Sequence, residues 1–352
     1  MKTITKLFLV IVTAVSFQMS AIAGELTVTG GVTATVTQGN DDAIGGKALG
    51  VSNEIDFTAN GELDNGYTWK WQAQMDGATN LNDDTRLEIG SPYGTVAMYI
   101  SEGDLSSKLG YGIGAMGVGS DYASTFSSGT GNVIWGKNIS SYNNVQYHTP
   151  ADLLPLSTSL KIGYGPSLTG TAGTSAKGTN AAENEATGSD VTQVKLTAAP
   201  IDGLSVGADY MVYDQGSAIH QHDEESAGAY AKYTVGGISV GYARTGYSPK
   251  KQSTSGTTVN YESDMYGIQF AVNDALTVSY SEEKFTKHTA SSLSAAGVRT
   301  AASNLDMDAE HIQAAYVIGG ATLGVAIADT KNDDFTTGQK AKKTTFSLAI
   351  AF

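Results

Sequence analysis

Three acidic triplets carry the side chains best suited to hold a metal ion. Asn-Asp-Asp occurs at 40–42, 82–84 and 332–334, and carboxylate and amide oxygens are the ligands that Ca²⁺ and Mg²⁺ prefer. The spacing of an EF-hand loop does not accompany them, and Asn and Asp are also typical of solvated turns. The sequence therefore favours turns over a metal site. A divalent-cation site remains the alternative, with candidate ligands Asp41, Asp42, Asp83, Asp84, Asp333 and Asp334.

The histidines and one glycine-rich motif could support other chemistry. His220 and His222 could share one strand face but lack an evident third ligand, and no catalytic motif accompanies His148 or His311. The pattern G-x-G-x-x-G at 112–117 would need a parallel strand before it and a helix after it to bind a dinucleotide. The flanking segments instead alternate like antiparallel strands. The residues therefore predict neither a cofactor nor an enzyme.

The N-terminus has the three parts of a secretory signal. Lys2 and Lys6 accompany an apolar stretch, and AIA at 21–23 provides a small-residue cleavage site. We expect residues 1–23 to be removed and residues 24–352 to form one domain. Of the 21 basic residues, 19 then stand against 35 acidic ones, which argues against a nucleic-acid partner. The chain has no cysteine, so disulfides and thiolate metal sites are excluded.

The elements that must position these residues are predicted to be strands, because hydrophobicity alternates with a period of two. YTWKWQAQM (67–75) places large apolar residues on one face and threonine, lysine and glutamine on the other. Such segments recur about sixteen times, joined alternately by short turns such as DNG (64–66) and by long polar connections. This pattern is typical of an up-and-down transmembrane barrel. The predicted fold is all-β: a closed antiparallel β-barrel with short periplasmic turns and long extracellular loops.

The segment TTFSLAIAF (344–352) continues the alternation to the last residue. Unpaired backbone groups in hydrocarbon cost several kcal/mol each, so we expect this last strand to pair with the first. The apolar positions of the segment form the candidate signal for barrel closure and assembly. They are Phe346, Leu348, Ile350 and Phe352.

Residues opposite the apolar set of each strand are expected to face the lumen. Single charges recur at these positions, which a soluble sandwich with a wholly apolar core would not favour. The predicted basic residues of the lumen are Lys70, Arg86, Lys161, Lys195 and Lys232, and the acidic ones are Glu54, Asp56, Glu62, Glu88 and Asp209. Because rings of Asp and Glu favour cations, the acidic excess predicts a mild cation preference.

With these features the chain resembles the general porins of Gram-negative outer membranes. TRLEIGSPYGTVAMYISEGD (85–104) is similar to a strand–turn–strand of that family, and SYNNVQYHTP (141–150) is similar to its following strand. The resemblance implies a homotrimer with a water-filled channel among outer-membrane lipid and lipopolysaccharide. It also implies insertion by the barrel assembly machinery, which reads the C-terminal strand.

The resemblance further implies that the third loop, residues 102–140, folds inward and narrows the pore. Glu102, Asp104 and Asp121 would then bring carboxylates to the constriction. An acidic loop facing basic wall residues would set a transverse field across the lumen.

The predicted function is diffusion of small hydrophilic solutes through an outer-membrane channel. One alternative is a substrate-selective channel, including a sugar-specific barrel of about eighteen strands. Another is a non-conducting surface barrel that acts in adhesion or as an enzyme at its rim. Conductance in planar bilayers would separate these classes.

Overall fold

A computed structural model describes residues 24–40, 45–76, 83–100, 102–116, 137–166, 190–214, 220–249, 251–252, 259–293 and 299–352. Within these ranges, no helix has the length and apolar character needed to cross a membrane. The expected secretory signal, residues 1–23, lies outside the described residues.

Sixteen strands of the described residues form a single closed sheet. Their bounds are β1 (Glu25–Asn40), β2 (Gly45–Glu62), β3 (Thr68–Asp76), β4 (Asp83–Ser91), β5 (Gly94–Ile100), β6 (Asn144–His148), β7 (Ser159–Gly165), β8 (Asp190–Ile201), β9 (Leu204–Asp214), β11 (Glu224–Val235), β12 (Ile238–Ser248), β14 (Val259–Ala271), β15 (Leu276–Thr289), β18 (Ser303–Ile318), β19 (Ala321–Lys331) and β20 (Lys340–Ala351). The remaining elements are the pair β10 (His220–His222) and β13 (Lys251–Gln252), the pair β16 (Ser292–Leu293) and β17 (Arg299–Thr300), and 3₁₀ turns at Ser107–Gly110, Ile139–Ser141 and Asp333–Phe335.

The two ends of the sheet close the barrel. β1 pairs antiparallel with β2 on one side and with β20 on the other. Gly30 and Phe352 exchange two backbone hydrogen bonds of 2.8 and 2.9 Å. Pairing the last strand with the first leaves no open edge. The predicted closed antiparallel barrel of sixteen strands is therefore confirmed.

The strand register divides the side chains into an inward and an outward set. Thr345 and Ser347 of β20 pair with Thr37 and Thr35 of β1 on the inner face, whereas Phe346 lies outside and is 54% exposed. Large apolar residues are exposed on the outside because that surface meets hydrocarbon rather than a second sheet.

Several strands are longer than the alternation predicts. The polar composition of 38–50 and 286–303 is typical of long connections, whereas β1 continues to Asn40, β2 begins at Gly45 and β15 continues to Thr289. Apart from Ala48 and Leu49, these strand ends carry polar residues or glycine on both faces. Such a composition resembles a loop although the backbone ladder continues.

Candidate functional site

The register places the charged residues expected in the lumen on the inner face of the barrel. Cross-strand pairs join Lys70 to Glu88, Lys161 to Lys195, and Lys195 to Asp209. The full set on this face is Lys70, Arg86, Lys161, Lys195, Lys232, Glu54, Asp56, Glu62, Glu88 and Asp209. The inner wall therefore carries charges of both signs.

Arg86 on β4 is the centre of a polar network. Its guanidinium lies 2.8 Å from a Glu102 carboxylate oxygen and 3.5 Å from one of Glu88. It also donates to the side-chain oxygen of Gln72. The Gln72 amide donates to Asp56 on β2 over 3.0 Å. The network thus joins β2, β3 and β4 to the start of the segment 102–116.

Glu102 is the first described residue of that segment, and its carboxyl is largely removed from water. Burial raises the pKa of the Glu102 carboxyl above its usual value, while the charge of Arg86 acts in the opposite direction. Burial disfavours the charged form of the carboxyl, and this effect on the pKa is larger than the opposite effect of Arg86. Glu102 is therefore protonated at a higher pH than an exposed carboxyl.

Further along the segment, β8 and β9 supply the partners of its backbone. The Lys195 ammonium donates to the carbonyl oxygen of Ser106 over 2.8 Å. The carboxylate of Asp209 accepts the backbone N–H of Ser107 at 2.6 Å and the amide of Gln193 at 3.0 Å. These buried backbone groups cannot bond to water, so the wall must satisfy them.

Three successive backbone N–H groups at the far end of the segment also donate to wall side chains. They pair as Gly114 with Gln269 on β14 at 3.0 Å, Ala115 with Ser279 on β15 at 2.8 Å, and Met116 with Gln313 on β18 at 3.1 Å. The segment therefore follows the inner wall from β5 to β18. The alternation of the strands places Gln269, Ser279 and Gln313 on the inner face. Because these acceptors are uncharged, the sequence analysis did not identify them as functional residues.

Two wall glycines make room for the segment. A Cβ at Gly241 on β12 would lie 2.9 Å from the Tyr111 ring and 3.0 Å from Ile113. A Cβ at Gly267 on β14 would lie 2.7 Å from the Tyr111 hydroxyl. Tyr111 and Ile113 are buried at 3% and 0% exposure. The segment is consequently packed against the wall as well as hydrogen-bonded to it.

The two described parts of the expected third loop, residues 102–116 and 137–140, contact each other. One carboxylate oxygen of Asp104 accepts from the Asn138 amide over 3.0 Å. Ile139 N–H donates to Gln193 on β8 over 2.8 Å. Asp104 is thus engaged in holding the loop together, and Asp121 lies outside the described residues.

The charges are arranged differently from the expected acidic loop opposite a basic wall. Lys161 and Lys195 lie on β7 and β8, which the loop itself follows, and Lys195 bonds to the loop backbone. Glu54 and Asp56 lie on β2, outside the strands that the segment 102–116 follows. Lys195 supports the loop from behind because the buried carbonyl of Ser106 needs a donor. Acidic residues line the strand that this segment leaves uncovered.

The candidate metal ligands are only partly described. Asp41, Asp42 and the side chains of Asp83, His220 and His222 lie outside the described structure. Asp84, Asp333 and Asp334 lie within it. Among the described residues, no group of three or more His, Asp or Glu side chains is placed to hold a metal ion. The divalent-cation site stays an untested alternative to the solvated turns that the sequence favours.

One family model matches most of the chain. It is described as Gram-negative porin and matches residues 8–297. No curated protein sequence matches the chain significantly.

Solved structures share the fold at low sequence identity. OmpT of Vibrio cholerae, folded in vitro and in trimer form, gives a TM-score of 0.62 at 14% identity and covers 94% of this chain and 100% of that chain. The anion-selective porin from Comamonas acidovorans gives 0.64 at 14% identity, covering 94% and 100%. The outer membrane channel DcaP of Acinetobacter baumannii gives 0.57 at 15% identity, covering 94% and 98%. At these identities the likeness shows the fold alone.

Proposed function

The chain belongs to the Gram-negative porin family and is an outer-membrane channel, and we propose that small hydrophilic solutes and ions diffuse through it. One observation carries the proposal: the segment 102–116 follows the wall from β5 to β18. The polar inner faces of β20 and β1 to β3 are therefore left uncovered by this segment. Stepwise conductance of the purified protein in planar bilayers is expected, and silence would contradict the proposal.

We propose a mild preference for cations. The inward carboxylates of Glu54 and Asp56 line the uncovered strand β2, and Asp56 accepts hydrogen bonds from the neutral amides of Gln72 and Gln74. Carboxylates in a pore favour cations. The neighbour from Comamonas acidovorans is anion-selective, so the fold does not decide the sign. Reversal potentials in a salt gradient test it: Glu54→Gln with Asp56→Asn should reduce the preference, and anion preference in the unmodified protein would overturn it.

We propose that residues 102–140 narrow the pore. The support is the position of Glu102 beside Arg86 and the contacts of Asp104 with Asn138. Asp121 is proposed to contribute from the same loop. The further wall residues proposed to line the constriction are Lys70, Lys161, Lys195, Lys232, Glu54, Asp56 and Glu88. Blockade by polymers of graded size would measure the narrowing in the unmodified protein and in a variant shortened between 117 and 136.

We propose a homotrimer that is surrounded by outer-membrane lipid and lipopolysaccharide. The trimer form of OmpT supports the assembly. Residues 1–23 are proposed to be cleaved on export, and Phe346, Leu348, Ile350 and Phe352 to be read by the barrel assembly machinery. Conductance in three equal steps and an N-terminus at Gly24 are the expected results.

We propose no catalytic role for the interior. His148 shares a 2.9 Å hydrogen bond with Gln146 of the same strand. The charged groups of Arg86, Lys195 and Asp209 hold the loop. These side chains have structural partners rather than the arrangement of a nucleophile with its base.

A further inference from the structure

A recess in the inner wall lies where β1 meets β2 and the end of β20, and its volume is about 680 Å³. Sites for small molecules typically measure about 300–1,000 Å³. The wall is hollow here because Gly31 on β1 and Ala351 on β20, which pair with each other, have little or no side chain. Glycine within a strand often marks a place where a ligand approaches the backbone closely. The recess is therefore large enough for a small organic molecule.

The side chains around Gly31 combine hydroxyls with carboxylates. We define the β1–β2 recess by the inward side chains that surround this glycine, which are Thr29, Thr33, Ser52, Glu54 and Asp56. The pairs of Thr33 with Ser52 and of Thr29 with Asp56 lie on either side of the pair of Gly31 with Glu54. Thr29, Ser52 and Glu54 are exposed, and the other two side chains are half-buried. A solute in the lumen can therefore reach all five.

Polar groups on the opposite side of the lumen are engaged by the segment 102–116. Asp209 and Gln313 are only 9% and 3% exposed, and both accept backbone N–H groups of this segment. The segment does not cover β1 or β2. The recess therefore presents polar groups that a passing solute can use, whereas those on the loop side already serve the loop.

Asp56 is held in position by the neighbouring strand. One oxygen of its carboxylate accepts the side-chain amides of Gln72 and Gln74 on β3, each over 3.0 Å. Gln72 in turn accepts a hydrogen bond from Arg86. A side chain that is already held in one conformation loses little freedom when a ligand binds. One carboxylate of the recess is therefore preorganised.

The charges of the recess disfavour anions. Lys70 lies opposite Asn60, which is six residues from Glu54 along β2, a distance of about 20 Å. Arg86 lies nearer, but its guanidinium pairs with the Glu102 carboxylate at 2.8 Å. The two carboxylates of the recess therefore repel anions, which leaves neutral and cationic solutes.

The combination of hydroxyls and carboxylates suits a solute that is rich in hydroxyls. A carboxylate only accepts hydrogen bonds, whereas the hydroxyls of threonine and serine both donate and accept. The hydroxyls of a sugar also donate and accept, so they can pair with both kinds of group. We propose that the β1–β2 recess binds small uncharged sugars weakly on their way through the channel, an inference that rests on the proposed diffusion function.

The current noise of single channels in planar bilayers measures such binding. Glucose is expected to add noise that saturates with its concentration, because each bound molecule briefly reduces the current. Triethylene glycol dimethyl ether, which has a similar mass but no hydroxyl, should add no saturable noise. Thr33→Val with Ser52→Ala removes two hydroxyls from the recess and keeps both carboxylates. The affinity for glucose should then fall about tenfold, since each neutral hydrogen bond contributes modestly.

Thr345→Val with Ser347→Ala is the matched control. It removes the same two kinds of hydroxyl from the inner face of β20, where they pair with Thr37 and Thr35 outside the recess. This variant should bind glucose as the unmodified protein does. Equal glucose affinity of the two double variants would overturn the assignment to the recess, and conductance of each variant reports that its barrel is folded.

Two further outcomes separate this inference from the proposed function. A conducting channel on which glucose adds no saturable noise, or on which the ether adds as much as glucose, would overturn sugar binding and leave diffusion intact. A protein that does not conduct at all would contradict the proposed function itself.

Discussion

Lys195 and Asp209 hold the two sides of one peptide unit. The carbonyl of Ser106, which accepts from Lys195, and the N–H of Ser107, which donates to Asp209, belong to the same peptide bond. The two charged residues are directly opposite each other on β8 and β9. Each end of the peptide dipole therefore meets the charge that it favours, and the wall fixes the loop at this point.

Breaking this contact should loosen the loop without opening the barrel. Asp209→Ala removes a hydrogen bond to a charged group, worth about 1.5–3 kcal/mol. Hydrogen exchange of the Ser107 amide is expected to rise about tenfold to a hundredfold. Lys232→Met, which removes an inward charge on β11, is the control and should leave that exchange unchanged. Equal exchange in the Asp209 variant and the unmodified protein would contradict the assignment.

The ion pair of Arg86 and Glu102 should stabilise the start of the loop. A double-mutant cycle with Arg86→Gln and Glu102→Gln is expected to show a coupling of about 1 kcal/mol, because both side chains remain partly exposed. Urea unfolding in lipid measures it. Lys232→Met on β11, in place of the Arg86 change, is the matched control. Purely additive effects of the two changes would rule out the coupling.

On acidification, the cation preference should begin to weaken at a higher pH than the titration of an exposed carboxylate would predict. Burial raises the pKa of Glu102 above its usual value of 4.5. Protonation of Glu102 therefore stabilises the folded state below the unfolded pKa, and this contribution is lost as the pH rises through the folded pKa. Reversal potentials measured from pH 7 downwards should fall before the ordinary carboxyl range is reached. Glu102→Gln should remove this early phase, and an unchanged titration in that variant would refute its origin.

A side chain at Gly241 should displace the loop from the wall. Gly241→Val brings a Cβ within 2.9 Å of the buried Tyr111 ring, and overpacking of this kind costs about 1–3 kcal/mol. Single-channel conductance is expected to decrease because the displaced loop enters the lumen. Gly246→Val on the same strand is the control, since a Cβ there has nothing within 4 Å. Equal conductance of both variants would count against the packing.

The sequence predicted an acidic loop opposite a basic wall, and this arrangement is not the one in the structure. Alternation could place Lys161, Lys195 and Glu54 on the inner face, because parity is a local property of each strand. It could not show that the loop lies along β7 and β8 rather than across from them. The loop has no periodicity, and its partners on β8 and beyond are separated from it by tens of residues to more than a hundred, as Lys195 is from Ser106 and Asp209 is from Ser107.

Residue alternation alone determined that the chain forms a closed barrel, which side chains face inward, and that Phe352 lies at the seam with β1. These follow from a period of two and from the requirement that every backbone group in a membrane be paired. Only the tertiary structure decided the path of residues 102–116 and the polar side chains that receive their N–H groups. Those features depend on contacts between strands far apart in sequence, to which no local pattern corresponds.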